Sequence, residues 1–586
     1  MSKEKFYTSE KNVQIVLSLL KANGIKKIVA SPGTTNYTLV GSVQNDPYFE
    51  VYSSVDERSA AYIACGMAAE SGEPVVLTCT GATASRNYYP GLTEAYYRKL
   101  PVLAITSHQG NDRIGQLVPQ NIDRRHLPND IAKISVELPV VRDNKDENYV
   151  IMEANKAILE LRRNGGGPAH INIITTYSRD FSVKELPKVR AMRRFYSWDN
   201  LPNIPVGSRV GIYVGSHRRF SEELTAAVDR FCATYDAVVI CDHTSGYYGK
   251  YNLLPTLVQL QTEATSPFPQ LDLMIHIGEI SAASFYGTIP TKEIWRVNED
   301  GELRDPFKKL STVFQMSEDF FFRYYGKAEG TSHKFIDDCR SIFYEIYNEI
   351  PELPFSNIWA AMQLSNRLPK GCLFHMGVSN TRRSWNMFRL PEGVESSCNV
   401  GCCGIDGCIS SLIGASLVNP NRLCYIVVGD LTFFYDLNSM GNRHIGKNLR
   451  IMLINNGVGA EFRLSIHFCN DFGDDANRFM AAGGHFGNKS SKLVKHYAED
   501  LGYRYLSATN KEEFMSALED FTNPQLMDKS MIFEVFTNAK DESDALYLMS
   551  HIQSDAKGIM RNKLKSAVRN VAGETGFNAL KNILKK

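Results

Sequence analysis

The chain has 586 residues, 43% of them hydrophobic, which suffices for several cores of ordinary domain size. Its 65 basic and 64 acidic side chains leave a formal net charge of +1, which removes the electrostatic case for a nucleic-acid partner. No run of about 18 apolar residues could span a bilayer, and the polar start, Met1 to Ser9, lacks the apolar stretch of a secretory signal, so a cytoplasmic protein is expected.

In chain order, a helical pattern over Val13 to Ala22 leads into a strand, Lys27 to Ala30, that closes on Ser31-Pro32-Gly33. A second apolar stretch enters Ser54-Val55-Asp56-Glu57-Arg58, and Glu57 then opens an alanine-rich helix, Ser59 to Glu70. The runs Val75 to Cys79, Val102 to Thr106 and Ile171 to Thr175 complete a first α/β domain, residues 1–185, followed by a linker with Pro187, Pro202 and Pro205. The runs Val210 to Val214, Ala237 to Cys241, Leu271 to Ile277 and Ile294 to Val297 alternate with helical segments in a second parallel-sheet domain, 206–330. It shows no glycine-rich dinucleotide fingerprint and is expected to hold no nucleotide. A third α/β domain spans 356–548, and a basic tail, 549–586, carries Ile559, Met560, Leu564, Val568 and Val571 at helical spacing among eight lysines and arginines. The fold class is therefore α/β: three doubly wound parallel-sheet domains plus a basic helical C-terminal tail. Two domains of similar topology are expected to flank the middle one.

The third domain carries the sharpest chemical signal. The apolar run Leu423 to Val428 ends at Gly429-Asp430, and a second run, Leu449 to Ile454, ends at Asn455-Asn456. Residues 431–454 between them are the length of one strand-helix-strand unit, so both polar ends sit at the carboxyl edge of parallel strands, where open α/β sheets bind ligands. Magnesium prefers hard oxygen donors and shares its shell with phosphate, so Asp430, the Asn456 amide oxygen and the Val458 carbonyl are candidate metal ligands. The segment Leu431 to Arg443 reads as a helix whose first amides, at Leu431 and Thr432, would face the same diphosphate. This is the magnesium-diphosphate signature of thiamine-diphosphate enzymes, whose cofactor also needs a carboxylate against N1′ of its aminopyrimidine to release the C2 proton. Glu57 is the candidate.

The chain resembles the thiamine-diphosphate superfamily of acetolactate synthase and pyruvate decarboxylase, and within it the 2-succinyl-5-enolpyruvyl-6-hydroxy-3-cyclohexene-1-carboxylate synthases of menaquinone biosynthesis. The resemblance covers roughly residues 10 to 540. It rests on SPG at Ser31, VDER at Val55, the turn at Gly81 with Asn87, QNID at Gln120, Gly377 to Arg383, GIDG at Gly404, GDLTFFYDLN at Gly429 and INNGVG at Ile454. It implies that Glu57 activates the cofactor, that Gln120 faces the reacting centre, that Ile405 lies beneath the thiazolium, and that Asn87, Ser379 and Gly429 contact the cofactor. It also implies a homodimer or tetramer with each site shared between the first domain of one subunit and the third domain of its partner.

Departures from that family bear on the substrate. Where its arginines grip polycarboxylates, this chain has Thr35, Gln109 and Val400, with Arg383 kept beside Arg382. Threonine, glutamine and valine cannot replace the charge and paired donors of an arginine fork. The expected reaction is decarboxylation of a 2-oxo acid and ligation of the product to a less acidic acceptor, such as a sugar or polyol of a surface-polysaccharide pathway, with Arg383 left to anchor one carboxylate or phosphate. A simple decarboxylase and a non-catalytic scaffold are the alternatives. The decarboxylases place a glutamate six residues after the second asparagine; here Glu461 is one position early, and it and His108 are candidate proton donors that read more readily as solvated loop residues. The cluster Cys398, Cys402, Cys403 and Cys408 lacks paired metal-ligand spacing and reads as reduced thiols. The tail reads as a helix packed on the subunit surface, or as an amphipathic helix making peripheral contact with an anionic membrane face.

Overall fold

The computed structural model describes residues 5–124, 126–281, 289–326, 333–485 and 489–563. These fall into two compact units, one of the residues up to 196 with Gly301–Val313, the other of Ser197–Asp300 with the described residues from Phe314 onward.

The first unit is organised on a wholly parallel sheet of β1 (Lys27–Ala30), β2 (Glu50–Ser53), β3 (Val75–Thr80), β4 (Val102–His108), β5 (Ser135–Leu138) and β6 (Ala169–Ile174), in the order β2-β1-β3-β4-β6-β5. Side chains alternate across a strand, and both faces here are covered. Val75, Leu77, Cys79, Val102 and Ala104 pack with Ala60, Ala61, Ala64 and Ala68 of the helix Glu57–Ser71. Val76, Leu103 and Ile105 face the other way, onto Val13, Val16, Leu17 and Leu20 of the helix Lys11–Ala22. Small alanines let the first helix lie close to its sheet. The helix begins at Glu57, two residues earlier than the sequence pattern suggests, because the Asp56 carboxylate caps it by accepting from Arg58 N and Ser59 N.

The second sheet has the order β10-β9-β8-β11-β12-β13-β7, made of β7 (Arg193–Tyr196), β8 (Val210–Val214), β9 (Val238–Ile240), β10 (Asn252–Leu253), β11 (Leu271–Ile277), β12 (Thr291–Asn298) and β13 (Leu310–Gln315). Strands β8 to β12 pair in parallel. Strands β8 to β13 thus follow the 3-2-1-4-5-6 order of dinucleotide-binding sheets, whose crevice opens where the order reverses. Here the loops at that point are hydrogen-bonded across it: Gly215 N donates to Ile277 O at 2.9 Å and Glu279 N to Ser216 O at 2.8 Å. A Cβ on Gly215 would lie 2.1 Å from Glu279 O.

The third sheet, again wholly parallel, has β14 (Leu373–Met376), β15 (Glu395–Cys398), β16 (Cys424–Gly429), β17 (Leu449–Asn455), β18 (Arg504–Ala508) and β19 (Met531–Phe536) in the order β15-β14-β16-β17-β19-β18. Counted within each domain, the first and third sheets share the order 2-1-3-4-6-5. In both, the carboxyl ends of the first and third strands flank the point where the order reverses, which is where such sheets bind ligands.

The start of the basic tail docks onto the loop after the helix Thr256–Leu260. Gln261 Nε2 donates to Met549 O, Asp555 N to Glu263 O, and Arg561 Nη2 to Ala264 O at 2.8 Å. Residues 556–563 are helical; the remainder of the tail lies outside the described residues. Among the described residues no helix is long and apolar enough to cross a membrane.

Candidate functional site

In the third sheet, β16 ends at Gly429, beside which a Cβ would meet open space. The next residue, Asp430, opens the helix Asp430–Tyr435 and is 6% exposed. That helix is shorter than the expected Leu431 to Arg443: Asp436 breaks it by accepting from Ser410 N at 2.6 Å and the Ser410 hydroxyl, and a 3-10 segment, Leu437–Gly441, follows. Leu431 is half-buried and Thr432 buried at its start. Asp430 Oδ1 accepts from Leu431 N at 2.8 Å and Oδ2 from Gly457 N at 2.7 Å. These bonds do not offset desolvation, and burial pushes the carboxyl up to about 7. A carboxylate so placed fits a cation, which would restore its charge.

The two asparagines at the end of β17 divide their work. Asn455 is buried and its Nδ2 donates to Glu534 Oε1 at 2.7 Å, which ties β17 to β19. Asn456 is half-buried, and its Oδ1 has only a long contact, 3.4 Å, from Val458 N. The expected ligands Asp430, Asn456 Oδ1 and the Val458 carbonyl are all hard oxygen donors, the chemistry that suits magnesium rather than zinc. Such a set does not depend on a His, Cys, Asp and Glu cluster, and among the described residues none of three or more such side chains is placed to hold a metal.

Across the reversal point stands Ser379, after β14, with φ +57° and ψ −122°. A serine in that region is strained, and strain of this kind gathers at functional sites. Ile405 is half-buried against the third-domain core, and Val400 is buried. Cys398 and Cys408 are held protonated by burial, at about 12 and about 11, while Cys402 and Cys403 are exposed.

Arg383 is not free. Its Nη1 donates to Glu461 Oε2 at 2.9 Å and Nη2 to Glu461 Oε1 at 2.6 Å, a fork closed by a carboxylate of the same chain. This corrects both the reading of Arg383 as an open anchor and that of Glu461 as a solvated loop residue. Glu542 was not singled out from the sequence. It is 1% exposed and accepts from Asn357 N, Asn380 Nδ2 and the Thr537 hydroxyl, so it fixes the start of the helix that follows Ser379. Burial raises its carboxyl, and its charge adds to the upward shift of Asp430. In sequence it is indistinguishable from any acid in a helix's first turn.

In the first sheet, the loops after β1, β3 and β4 and the segment at 120–121 enclose a small pocket lined by Thr35, Gly81, His108, Gln109 and Gln120. Gly33 is required here, because a Cβ would lie 1.9 Å from Thr80 Cγ2. The Thr35 hydroxyl donates to Ser107 O at 2.8 Å. Gln109 is held between the Tyr177 hydroxyl, to which its Nε2 donates, and Arg113 Nη1, which donates to its Oε1. Gln109 is thereby tied to a cation, Arg113, that is exposed and does not itself line the pocket. Gln120 is exposed with φ +67°, a second strained site residue. Glu57 is half-buried at the start of its helix; burial and the Glu57 charge together push the Cys79 thiol up to about 12. Asn87 is exposed at the end of the helix Thr83–Asn87 and does not line the pocket.

Behind the pocket lies a buried polar network. His108 is 5% exposed, correcting its reading as a loop residue, and its Nε2 faces Glu137 Oε2 across 3.3 Å without the alignment of a hydrogen bond. His108, with Asn111 and Asn172, holds the Glu137 carboxyl below its ordinary value. Arg124, 5% exposed, donates from Nη1 to the Thr106 hydroxyl at 3.0 Å, and that hydroxyl also meets His170 Nε2 and Asn172 Oδ1. Burial lowers His170 to about 3 and keeps it neutral.

Residues 11–127 match the family model described as "Thiamine pyrophosphate enzyme, N-terminal TPP binding domain". Together with the parallel sheets and the oxygen donor set, this places the chain among the thiamine-diphosphate-dependent enzymes. Along nearly its whole length it is similar to proteins named 2-succinyl-5-enolpyruvyl-6-hydroxy-3-cyclohexene-1-carboxylate synthase. That of Bacteroides fragilis is 30% identical over 570 residues, covering 92% of this chain and 98% of the relative. Those of Bacteroides thetaiotaomicron and Phocaeicola vulgatus are each 29% identical with the same coverage. The chain belongs to this synthase family.

Proposed function

We propose that the chain is a magnesium-dependent member of the family that decarboxylates a 2-oxo acid and joins the product to an acceptor less acidic than a polycarboxylate. When bound, thiamine diphosphate supplies the electron sink that lets carbon dioxide leave. Asp430, Asn456 and the Val458 carbonyl would hold the metal, with Gly429, Leu431 and Thr432 beside the diphosphate and Ser379, Asn87 and Ile405 contributing cofactor contacts. Glu57 would exchange the proton at N1′, and Gln120 would orient the reacting oxygen. The observation that carries the metal assignment is Asp430: a buried carboxylate whose hydrogen bonds, from Leu431 N and Gly457 N, come from uncharged backbone donors calls for a cation.

The acceptor reading rests on the first-domain pocket. Thr35 and Gln109 offer neutral hydrogen-bonding groups where the family carries arginines, which suits the hydroxyls of a sugar or polyol. A simple decarboxylase is the second reading, favoured by His108 in the lining of the same pocket, 3.3 Å from the half-buried Glu137 carboxylate, a pair that a small shift would align for proton transfer.

In this reading the first, second and third sheets are the pyrimidine-binding, middle and diphosphate-binding domains, and the enzyme is a cytoplasmic homodimer or tetramer whose sites combine Glu57 of one subunit with Asp430 of another. Exposed Val51, Tyr52, Val55, Tyr62 and Ile63 give the first domain an apolar surface suited to a second copy. Peripheral membrane contact would fall to residues beyond 563. The decisive experiment is calorimetric uptake of thiamine diphosphate with and without magnesium, followed by carbon dioxide release from 2-oxo acids with and without sugar acceptors. Acceptor-dependent product supports the ligase, aldehyde alone the decarboxylase, and no uptake overturns both.

A further inference from the structure

The ion pair between Arg383 and Glu461 lies where it bears on the donor substrate. Arg383 belongs to the helix Asn380–Trp385 that follows β14, and Glu461 to the 3-10 turn Ala460–Arg463 that follows β17. Strand β16, which ends at Gly429 and Asp430, lies between β14 and β17 in the sheet. The pair therefore bridges the two loops on either side of the diphosphate position. Both terminal guanidinium nitrogens and both carboxylate oxygens are used, at 2.9 and 2.6 Å, with the side chains 21% and 23% exposed. A fork engaged end-on in this way keeps only its Nε–Nη2 edge, and Glu461 already balances its charge, so another carboxylate meets a neutralised pair rather than a free cation.

Among the described residues of these loops, Arg463 of the same turn is engaged in its own way, by Asn477 Oδ1 and by Asp474 Oδ1 at 3.0 Å. Val400 is buried and apolar. Arg382 stands on the other side: its charge acts on Cys398, which ends β15, and β15 pairs with β14 on the edge away from β16.

We infer that Glu461 supplies from within the chain the carboxylate that Arg383 would otherwise take from a substrate, so that the donor is a 2-oxo acid with an uncharged side chain rather than a dicarboxylic one. This rests on the decarboxylase chemistry of the proposed function and adds the class of donor to it. A dicarboxylic donor either displaces Glu461 and leaves that half-buried carboxylate without its partner, or sets its added carboxylate beside that of Glu461 on a guanidinium already neutralised, a disadvantage on the order of ten- to a hundredfold in affinity. Glu461 and Arg383 are in this sense specificity-determining residues.

The test uses the full-length protein loaded with thiamine diphosphate and magnesium. Calorimetric titration compares acetylphosphonate, an analogue of an uncharged 2-oxo acid, with succinylphosphonate, which adds a terminal carboxylate. The wild type should bind acetylphosphonate at least about tenfold more tightly, and Glu461→Gln should shrink that ratio by about tenfold or more as the freed fork accepts the added carboxylate. Equal or tighter binding of succinylphosphonate by the wild type overturns the inference, as does an unchanged ratio in a folded Glu461→Gln protein, or failure of the wild type to bind either analogue. If the variant does not fold, the wild-type ratio decides. Cofactor uptake, measured first in the same cell, keeps the two claims apart: uptake without acetylphosphonate binding sinks the donor class alone, whereas no uptake sinks the proposed function with it.

Discussion

Replacing Asp430 by asparagine should stabilise the cofactor-free protein at alkaline pH while abolishing its affinity for magnesium and thiamine diphosphate. Burial moves the Asp430 carboxyl from 3.8 to about 7. Because the folded value is the higher one, the stability linked to its proton is complete below about 3.8 and is lost as pH rises through 7. At pH 8 the ionised carboxylate in the folded protein is then about 4 kcal/mol less favourable than in the unfolded chain. Asparagine removes the charge but keeps one oxygen, so one of the two bonds from Leu431 N and Gly457 N is lost, worth about 1.5 kcal/mol. The net gain is about 2–3 kcal/mol at pH 8. At pH 5 much of the carboxyl is protonated in the folded state, the remaining charge penalty is about 1.5–2 kcal/mol, and gain and loss nearly cancel. For a domain of this size the gain at pH 8 corresponds to about 5–10 °C in the apparent Tm. The assay is thermal unfolding of chelator-treated protein between pH 5 and pH 8.5, repeated with magnesium and thiamine diphosphate. With both ligands present the wild type should melt higher. An asparagine variant that melts at or below the wild type at pH 8 without ligands, or whose advantage does not fade toward pH 5, would refute burial of an uncompensated charge as the property of this site.

Glu57→Ala should lower turnover by at least about a hundredfold with the circular dichroism spectrum unchanged, since Asp56 rather than Glu57 caps the helix; activity within tenfold of wild type removes Glu57 from the chemistry. Asn455→Ala and Asn456→Ala should part company. The first leaves Glu534 without its Nδ2 donor and lowers the Tm, the second leaves the Tm near wild type and weakens magnesium-dependent cofactor binding, and loss of both properties in both variants contradicts the division of labour. Thr106→Val should cost about 3 kcal/mol in denaturant unfolding, because Arg124 and His170 lose a shared partner inside the protein; a cost below about 1 kcal/mol means that the network relaxes onto other groups. Truncation after residue 563 tests membrane contact without removing the docked segment 549–563, and equal sedimentation of full-length and shortened protein with anionic vesicles excludes it.

The sheets were legible because their strands are continuous apolar runs, the mark of strands buried on both faces. Lys27–Ala30 and Val210–Val214 are found where the sequence puts them. The edge strands were not legible. Glu50–Ser53, exposed along its length, showed only as the unbounded apolar stretch entering Ser54, and Arg193–Tyr196 sits within the stretch that its prolines mark as a linker, without an apolar run. At the site, the spacing of Asp430 and Asn456 was readable because one strand-helix-strand unit fixes it. Which asparagine faces inward was not, because that depends on Glu534, 79 residues away in the chain. The engagement of Arg383 by Glu461 was hidden for the same reason: a guanidinium's partner is set by the approach of two loops, and the one-residue displacement of Glu461 from the decarboxylase position was its only trace.

The shared 2-1-3-4-6-5 order explains how one architecture serves two unlike tasks. In both sheets the reversal point lies between the first and third strands, so each domain offers the same bare edge and the loops decide its chemistry. In the third domain that edge carries hard oxygens and a cation already neutralised by the chain, Arg383, which in the proposed reading leaves the metal-diphosphate group as the charge to be met. In the first domain the corresponding edge carries Thr35 and Gln109, each hydrogen-bonded within the chain, Gln109 to the exposed Arg113. In the proposed reading this pocket takes the acceptor, and its nearest charge, on Arg113, lies one residue behind Gln109 rather than in the lining. A guanidinium at an exposed rim is screened by water and contributes less than one buried at the floor. An acceptor there gains more from hydroxyls matched to fixed neutral groups than from carboxylates, which is the physical ground for expecting a polyol rather than a polyacid.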